Sequence, residues 1–380
     1  MARVNVFPLG RHRIGRDPVA PLRYLTPFTF LVLLPLGGWL GGGWTFIAAV
    51  ATPLGLGCFD EALGEERAPA DATDRVTPRW LPRLYILLQL ATTAWAAAWV
   101  ARPTTTFVEA MGLAASAGVT TGVFGFVAAH EMIHSRNASW RALGLALLGS
   151  VFYMHFRIAH VYGHHRRAAT FEDPASARLG EGLYAFLLRS VVGQFRESWA
   201  FEARRRRHAG HRVIGIGNRM VLYITIETSF LLTVMFVNLH SLGFLLAVAV
   251  LSVTLLETFN YVAHYGLTRR AKANGRLEPL LPLHSWNSVR RMNNAALFNM
   301  GRHSDHHRRT TRPYERLEAL PGAPQLPSGY AAGLLTALVP PLWHRVMDPR
   351  AKAAMHGAER QARHSDDRVA PSPFSTPCGH

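Results

Sequence analysis

The chain has 380 residues, of which 49% are hydrophobic and only 17% charged, well under the quarter that soluble domains usually carry. Its formal net charge of +17 is almost all arginine, since Lys272 and Lys352 are the only lysines. Two cysteines, Cys58 and the distant Cys378, exclude a disulfide framework, a thiolate metal site and a fused iron–sulfur domain.

The first 22 residues carry Arg3, Arg11, Arg13 and Arg16 and run straight into an apolar stretch with no small-residue cleavage site. They read as a retained lead rather than a signal peptide. Six apolar stretches follow, at roughly 23–40, 42–58, 84–102, 107–129, 219–238 and 242–262, each near the ~20 residues that a bilayer-crossing helix needs. They pair as three hairpins with tight connections at 41–43, 102–106 and 238–241. Pro35, Pro53 and several glycines interrupt the first pair, as membrane helices tolerate. Segment 130–218 holds more than a dozen arginines, including the run 204–207, whereas the short connections carry only Arg102. Positive charge collects in cytoplasmic loops, so both termini and both long polar segments are expected in the cytoplasm, with the chain multi-pass in the inner cell membrane. Nucleic acid is excluded as a partner, because no stacking platform or recognition motif accompanies the charge.

A shorter apolar run, 143–156, reads as a re-entrant or interfacial segment, or as a helix packed beneath the site. The last thirty residues are polar and proline-dotted and are expected to be disordered. The organisation predicted is an all-α integral membrane protein with about six transmembrane helices and a cytoplasmic histidine-rich region. Four helices fall in 1–129, a cytoplasmic segment in 130–218, two helices in 219–263, a second cytoplasmic segment in 264–349, and a tail in 350–380.

Nineteen histidines are unevenly spread, and nine of them form four groups. "HEMIH" gives His130 and His134, and "HVYGHH" gives His160, His164 and His165. "NYVAHYG" gives His264 alone, and "RHSDHHR" gives His303, His306 and His307. Residues at i and i+4 share a helical face, so His130/His134, His160/His164 and His303/His307 are each expected to offer two imidazoles to one metal. His165 and His306 would reach round to a second. Imidazole suits iron, copper, zinc and nickel, and nine ligands suit two ions rather than one. "HEMIH" also fits the zinc-hydrolase pattern with Glu131 as base, a reading that leaves seven histidines unexplained.

From about residue 120 to 345 the sequence resembles the membrane alkane 1-monooxygenases, within the membrane fatty-acid desaturase and hydroxylase superfamily. The similarity extends past the histidines to "TFEDPASARLGEG", "NYVAHYGLTR" and "PLHSWNSVRRMNNAALFNMGRHSDHHRRTTRPYERL". The resemblance implies that the nine histidines hold two non-haem irons. It implies that Asp173 and Asp305 orient imidazoles by accepting their outer N–H groups, with Glu131 and His284 as further supporting positions. It also implies the activity: one oxygen atom of O2 enters the terminal methyl group of an alkane or similar apolar chain, giving a primary alcohol. Electrons would come from rubredoxin and its NAD(P)H-dependent reductase. Hydroxylation of xylene- or cymene-like methyl groups, fed by an iron–sulfur flavoprotein reductase, and desaturation or hydroxylation of a membrane lipid are the alternatives. An acidic carrier would meet Arg166, Arg167, Arg204, Arg205, Arg206, Arg207, Arg308 and Arg309, arginines that equally suit anionic lipid headgroups. The sequence departs from the family at Ala159 and Ala263, where glutamate is usual beside a presumed ligand.

Overall fold

The computed structural model describes residues 20–66, 79–270 and 275–367. Arg3, Arg11, Arg13, Arg16, Lys272 and Cys378 lie outside the described residues. Among the described residues all regular structure is helical, and extended pairing is limited to two isolated bridges, Glu65 with Arg290 and Asn287 with Gln325.

Helix α1 (Thr26–Leu40) and helix α2 (Ile47–Leu63) form the first hairpin. Their connection turns at Gly41 and Gly42, with φ of 71° and 54°, a region that L side chains resist. Helix α3 (Leu81–Val100) and helix α4 (Phe107–Thr120) form the second. A capping box opens α4: Glu109 N–H donates to Thr106 Oγ1, and Thr106 N–H donates to Glu109 Oε2. The other oxygen of Glu109 accepts the Gly42 N–H at 2.8 Å, so one carboxylate ties both hairpin tips. A π-helical turn, Thr121–Gly125, joins α4 to helix α5 (Phe126–Ile133). Helix α6 (Ala138–Ser150), capped by Asn137, folds back on α5. The short apolar run at 143–156 therefore begins as a helix packed on the element that carries His130.

Beyond it come helix α7 (Phe156–Ile158), a π-helical turn Ala159–His164 and helix α8 (His165–Arg167). The long helix α9 (Leu183–His208) ends in Arg205, Arg206, Arg207 and His208, charges that complement the negative end of its dipole. Helix α10 (Arg219–Val237) and helix α11 (Leu239–His264) pivot on Asn238. The Asn238 N–H closes α10 on Val234 O, and its side chain accepts the Ser241 N–H of α11. Helix α12 (Arg291–Ala296), helix α13 (His303–Arg308), helix α14 (Gly329–Ala337) and helix α15 (Pro340–Asp367) complete the chain.

Helices cover all six expected stretches, but among the described residues only four helical runs are long and apolar enough by themselves to cross a membrane: Gly42–Leu63, Phe107–Ile133, Arg219–Val237 and Leu239–His264. The runs at α1 and α3 are not among them. At the centre α4 packs on α1, α2, α3 and α11. The tail departs from expectation. Instead of disorder from residue 350, α15 continues to Asp367. Trp343, Met347 and Ala351, spaced four apart on one face, are buried, and Trp343 packs on Tyr261 and Tyr265. Averaged composition hides such a narrow apolar stripe.

Candidate metal centre

The nine histidines arrive from four places. The end of α5 delivers His130 and His134, and the second π turn with α8 delivers His160, His164 and His165. The last residue of α11 is His264, and α13 carries His303, His306 and His307. Their ring nitrogens converge on two adjacent points. His130, His134, His160, His165 and His306 form one group of five, and His164, His264, His303 and His307 form a group of four, each within 4.8 Å.

The pairing differs from the sequence expectation at one place. His130/His134 and His303/His307 do share a group, but His160 and His164 are split between groups, and His160 joins His165 instead. The π turn is the cause. Its wider winding brings i and i+5 onto one face where an α-helix would bring i and i+4. Gly163 permits that turn to pack, because a Cβ there would strike the carboxylate of Glu197, which pairs with Arg167. The entry to α13 is also unusual. Phe298 and Asn299 take φ of 45° and 58°, held by Asn299 Nδ2 donating to Tyr24 Oη at 2.6 Å and to Tyr314 O at 3.0 Å. Asn287 then clamps the helix, accepting the Ser304 N–H and donating to Ser304 Oγ.

Within the groups the Nε2 atoms face one another. His130–His160 is 2.7 Å, His165–His160 2.9 Å, His165–His134 3.1 Å and His165–His306 3.2 Å. In the smaller group His307–His303 is 3.1 Å and His303–His264 3.2 Å. His165 Nε2 has three imidazole nitrogens around it, and a single hydrogen could serve only one of them. A shared cation serves all, and nitrogens bound at about 2.1 Å and at right angles would lie about 3 Å apart. The residues thus fit a pair of metal ions. Burial first, and neighbouring imidazoles second, hold His160, His165, His303, His306 and His307 well below the ordinary histidine range. Burial, with the Arg157 guanidinium adding to it, brings His134 down to about 3. All six are therefore neutral near pH 7 and present lone pairs.

The supporting residues behave differently from one another. Asp173 Oδ2 accepts from His164 Nδ1 at 2.7 Å and from Ser176 Oγ at 2.6 Å, which leaves His164 Nε2 buried without a protein partner and free to ligate. Burial alone would raise the Asp173 pKa, but His164 and Ser176 bring the net shift downward. Asp305, expected to accept an imidazole N–H, accepts instead from Arg312 at 2.7 Å and from the Glu318 N–H at 3.0 Å. It offsets an arginine rather than orienting a ring. His284 acts through its carbonyl, which accepts from His264 Nδ1 at 3.2 Å, while its own imidazole meets Glu278 at 3.1 Å. Glu131 belongs to neither imidazole group and accepts the Tyr314 N–H at 3.4 Å.

Two spaces flank the centre. A cleft of about 440 Å3 opens beside His134 and Glu131 and is edged by Arg79, Arg83, Arg136 and Arg312. On the other side an apolar cavity of about 40 Å3, walled by residues such as Phe126, Leu255 and Phe259, is bordered by His130, His160 and His303. Of the arginines expected to meet a carrier, Arg166, Arg308 and Arg309 are exposed next to the histidine segments. Arg167 pairs with Glu197 and Arg205 with Glu202. Arg206 donates to Arg212 O, while Arg204 and Arg207 are exposed at the end of α9. Ala159 and Ala263 are buried.

Sequence reading missed Glu257 and Asn260. Glu257 is fully buried in α11, and its two oxygens accept from Tyr153 Oη, Ser190 Oγ, Gln194 Nε2 and Asn260 Nδ2, with no cation among them. Asn260 also lines the apolar cavity. The available signal was a carboxylate inside an apolar span, which is itself a mark of function.

Four histidine-bearing segments closing on two metal positions beside membrane-length helices define a membrane oxygenase or desaturase type of centre. In keeping with that class, the family model for fatty acid desaturases matches residues 104–332. Alkane 1-monooxygenase 1 of Pseudomonas aeruginosa is 39% identical over 329 residues, covering 84% of this chain and 86% of that protein. Alkane 1-monooxygenase of Acinetobacter baylyi is 36% identical, covering 71% and 66%. The chain belongs to the alkane 1-monooxygenase family. A more distant likeness, 28% over 62% of the chain, is to the hydroxylase component of the xylene/toluene monooxygenase of Pseudomonas putida.

Proposed function

We propose that this protein is a di-iron membrane monooxygenase that converts the terminal methyl group of a linear alkane to a primary alcohol. The observation that carries the reading is the placement of two imidazole groups against one apolar cavity. When bound, a pair of irons supplies the activation of O2 and the redox chemistry; the nine histidines are the ligands. Asp173 and the His284 carbonyl fix the tautomers of His164 and His264, so that both direct Nε2 inward. The apolar wall keeps water from the reacting carbon, and the narrow cavity admits a chain end rather than its middle, which favours terminal attack.

The six apolar stretches cross the inner membrane, with the arginine-rich segments and both termini in the cytoplasm, a placement supported by the distribution of positive charge. An apolar substrate partitions into lipid and reaches the cavity from there. Electrons arrive from rubredoxin and its reductase on the cytoplasmic side. His134 and His165 are the members of the five-imidazole group that are not fully buried, and Arg136, Arg166, Arg308 and Arg309 are exposed near them in sequence or space. These arginines suit an acidic carrier.

Cells expressing the protein with rubredoxin and its reductase test the reading when fed octane, hexadecane, p-xylene and a palmitoyl lipid. Terminal alcohols from the alkanes support it. Benzylic alcohol alone would transfer it to the xylene/toluene relative's chemistry, and new double bonds would make it a desaturase.

A further inference from the structure

Tyr153 and Tyr330 each stand one phenylalanine ring away from an imidazole of the centre. Phe156 stacks on His160 with ring centroids 4.9 Å apart and meets Tyr153 at 6.1 Å. Phe259 meets His303 at 5.7 Å and stacks on Tyr330 at 4.3 Å. Both phenylalanines wall the apolar cavity, and both tyrosines are buried. Their hydroxyl groups differ. Tyr330 Oη donates to the Trp286 backbone carbonyl at 2.6 Å. Tyr153 Oη donates to Glu257 Oε1 at 2.8 Å, whereas Ser190, Gln194 and Asn260 all donate to Oε2. Among the described residues Oε1 thus serves the phenol alone and keeps a free lone pair. On its far side Tyr153 meets His155 at 4.4 Å, and His155 meets the exposed Phe195 at 5.4 Å. A line of rings therefore runs from His160 past Tyr153 to the protein surface.

We propose that Tyr153 is a redox-active residue that discharges the metal centre when oxidant forms there with no substrate in the cavity. The inference rests on the proposed function for the source of the oxidant, an iron pair oxidised by O2. The step moves one electron and one proton. The phenol O–H bond breaks, the electron crosses the Phe156 contact to the oxidised centre, and the proton passes to Glu257 Oε1. A neutral tyrosyl radical remains, beside a protonated carboxyl group. A phenol that loses an electron becomes a strong acid, and the cation left without a base would be an unpaired charge in a dry interior. The carboxylate takes that proton from Tyr153; the backbone carbonyl beside Tyr330 cannot hold one. Restoration reverses the step, with one electron from an outside reductant by way of Phe195 and His155, and the proton returned by Glu257. O2 leaves two oxidising equivalents at the iron pair, so two rounds empty it.

The test uses the full chain, loaded with ferric iron in lipid nanodiscs, given hydrogen peroxide without alkane, freeze-quenched and read by electron paramagnetic resonance. Ring-deuterated tyrosine identifies a tyrosyl signal by its narrowing. A tyrosyl signal in the wild type, its loss in Tyr153→Phe and in Glu257→Gln, and its persistence in Tyr330→Phe are expected. Peptide mapping of the wild type after repeated peroxide exposure locates the radical without any variant, and should find Tyr153 modified and Tyr330 intact. Iron content and unfolding temperature establish that each variant is folded; should Glu257→Gln not fold, the tyrosine variants and the mapping decide. No tyrosyl signal in the wild type, a signal that survives Tyr153→Phe or Glu257→Gln, or one lost in Tyr330→Phe would overturn the proposal. The same preparation, given rubredoxin, its reductase and octane, separates the two claims. If the radical behaves as stated but no alcohol forms, the redox tyrosine stands and alkane hydroxylation falls. If octanol forms and no tyrosyl radical is seen without octane, the tyrosine falls and hydroxylation stands.

Discussion

Asp173→Asn isolates the coupling between a carboxylate and one metal position. Asp173 is buried and surrounded by donors: His164 Nδ1 at 2.7 Å and Ser176 Oγ at 2.6 Å on one oxygen, and the Ala175 N–H at 3.1 Å on the other. Asparagine has nearly the same shape, but one of its ends is an NH2 that must face a donor whichever way the amide turns. The cheapest escape is for His164 to move its hydrogen to Nε2, so that Nδ1 accepts from the amide. That hydrogen then occupies the nitrogen directed at the four-imidazole group. Loss of such a supporting carboxylate typically weakens metal binding by about 10–100-fold, or about 1.4–2.7 kcal/mol. Anaerobic titration of metal-free protein with ferrous ion against a competing chelator is the assay. The expected result is one iron held as in the wild type and one weakened by at least tenfold. Ser176→Ala, which removes a neutral hydrogen bond worth about 1 kcal/mol, should lower thermal stability while leaving both irons in place. Wild-type affinity for both irons in Asp173→Asn, or equal weakening of both, would refute the reasoning.

His160→Ala and His164→Ala, although one α-helical turn apart in sequence, should deplete different metal positions; chelator competition that finds the same position lost in both would contradict the split at the π turn. Glu257→Gln places an amide NH2 among four donors in a dry site and should cost about 1–3 kcal/mol, seen as a lower unfolding temperature in nanodiscs; an unchanged temperature would show that the buried network does not hold α11 to α9. Glu202 joins α9 to the start of α10. Burial opposes its ionisation, but hydrogen bonds from Arg205 and Arg219 outweigh burial and bring its pKa down to about 2. The stability it contributes is present above the ordinary value of 4.5 and is lost as pH falls from there toward 2. Allowing for the partial exposure of both arginines, the gap between wild type and Glu202→Gln should be about 1–2 kcal/mol at pH 6 and should fall to less than half of that by pH 3, closing only below pH 2; a gap independent of pH would count against the ion pair.

Much of the centre is legible in the sequence because imidazoles that share a metal must share a face. The i, i+4 rule pairs His130 with His134 and His303 with His307, as the structure does. It fails for His160 and His164 because the spacing assumes an α-helix, and nothing in "AHVYGHH" announces the wider turn except the small residues Ala159 and Gly163 that allow it. The family resemblance implies Asp305 at a ring, yet on α13 its side chain meets Arg312. The apolar stretches located the helices well, since burial and membrane contact both demand apolar runs. Four of those runs meet membrane length and apolarity alone, while those at α1 and α3 do not. The helix in the tail is hidden because two of its buried anchors, Trp343 and Met347, precede residue 350 and only Ala351 falls in the polar segment.

Two iron atoms held by imidazole are the core of the proposed function. Metal analysis of the protein purified without added chelator, joined to X-ray absorption at the iron edge, measures this directly. Two irons per chain with nitrogen neighbours at about 2.1 Å are expected, falling to one in His164→Ala. A single zinc, or iron without imidazole neighbours, would contradict it.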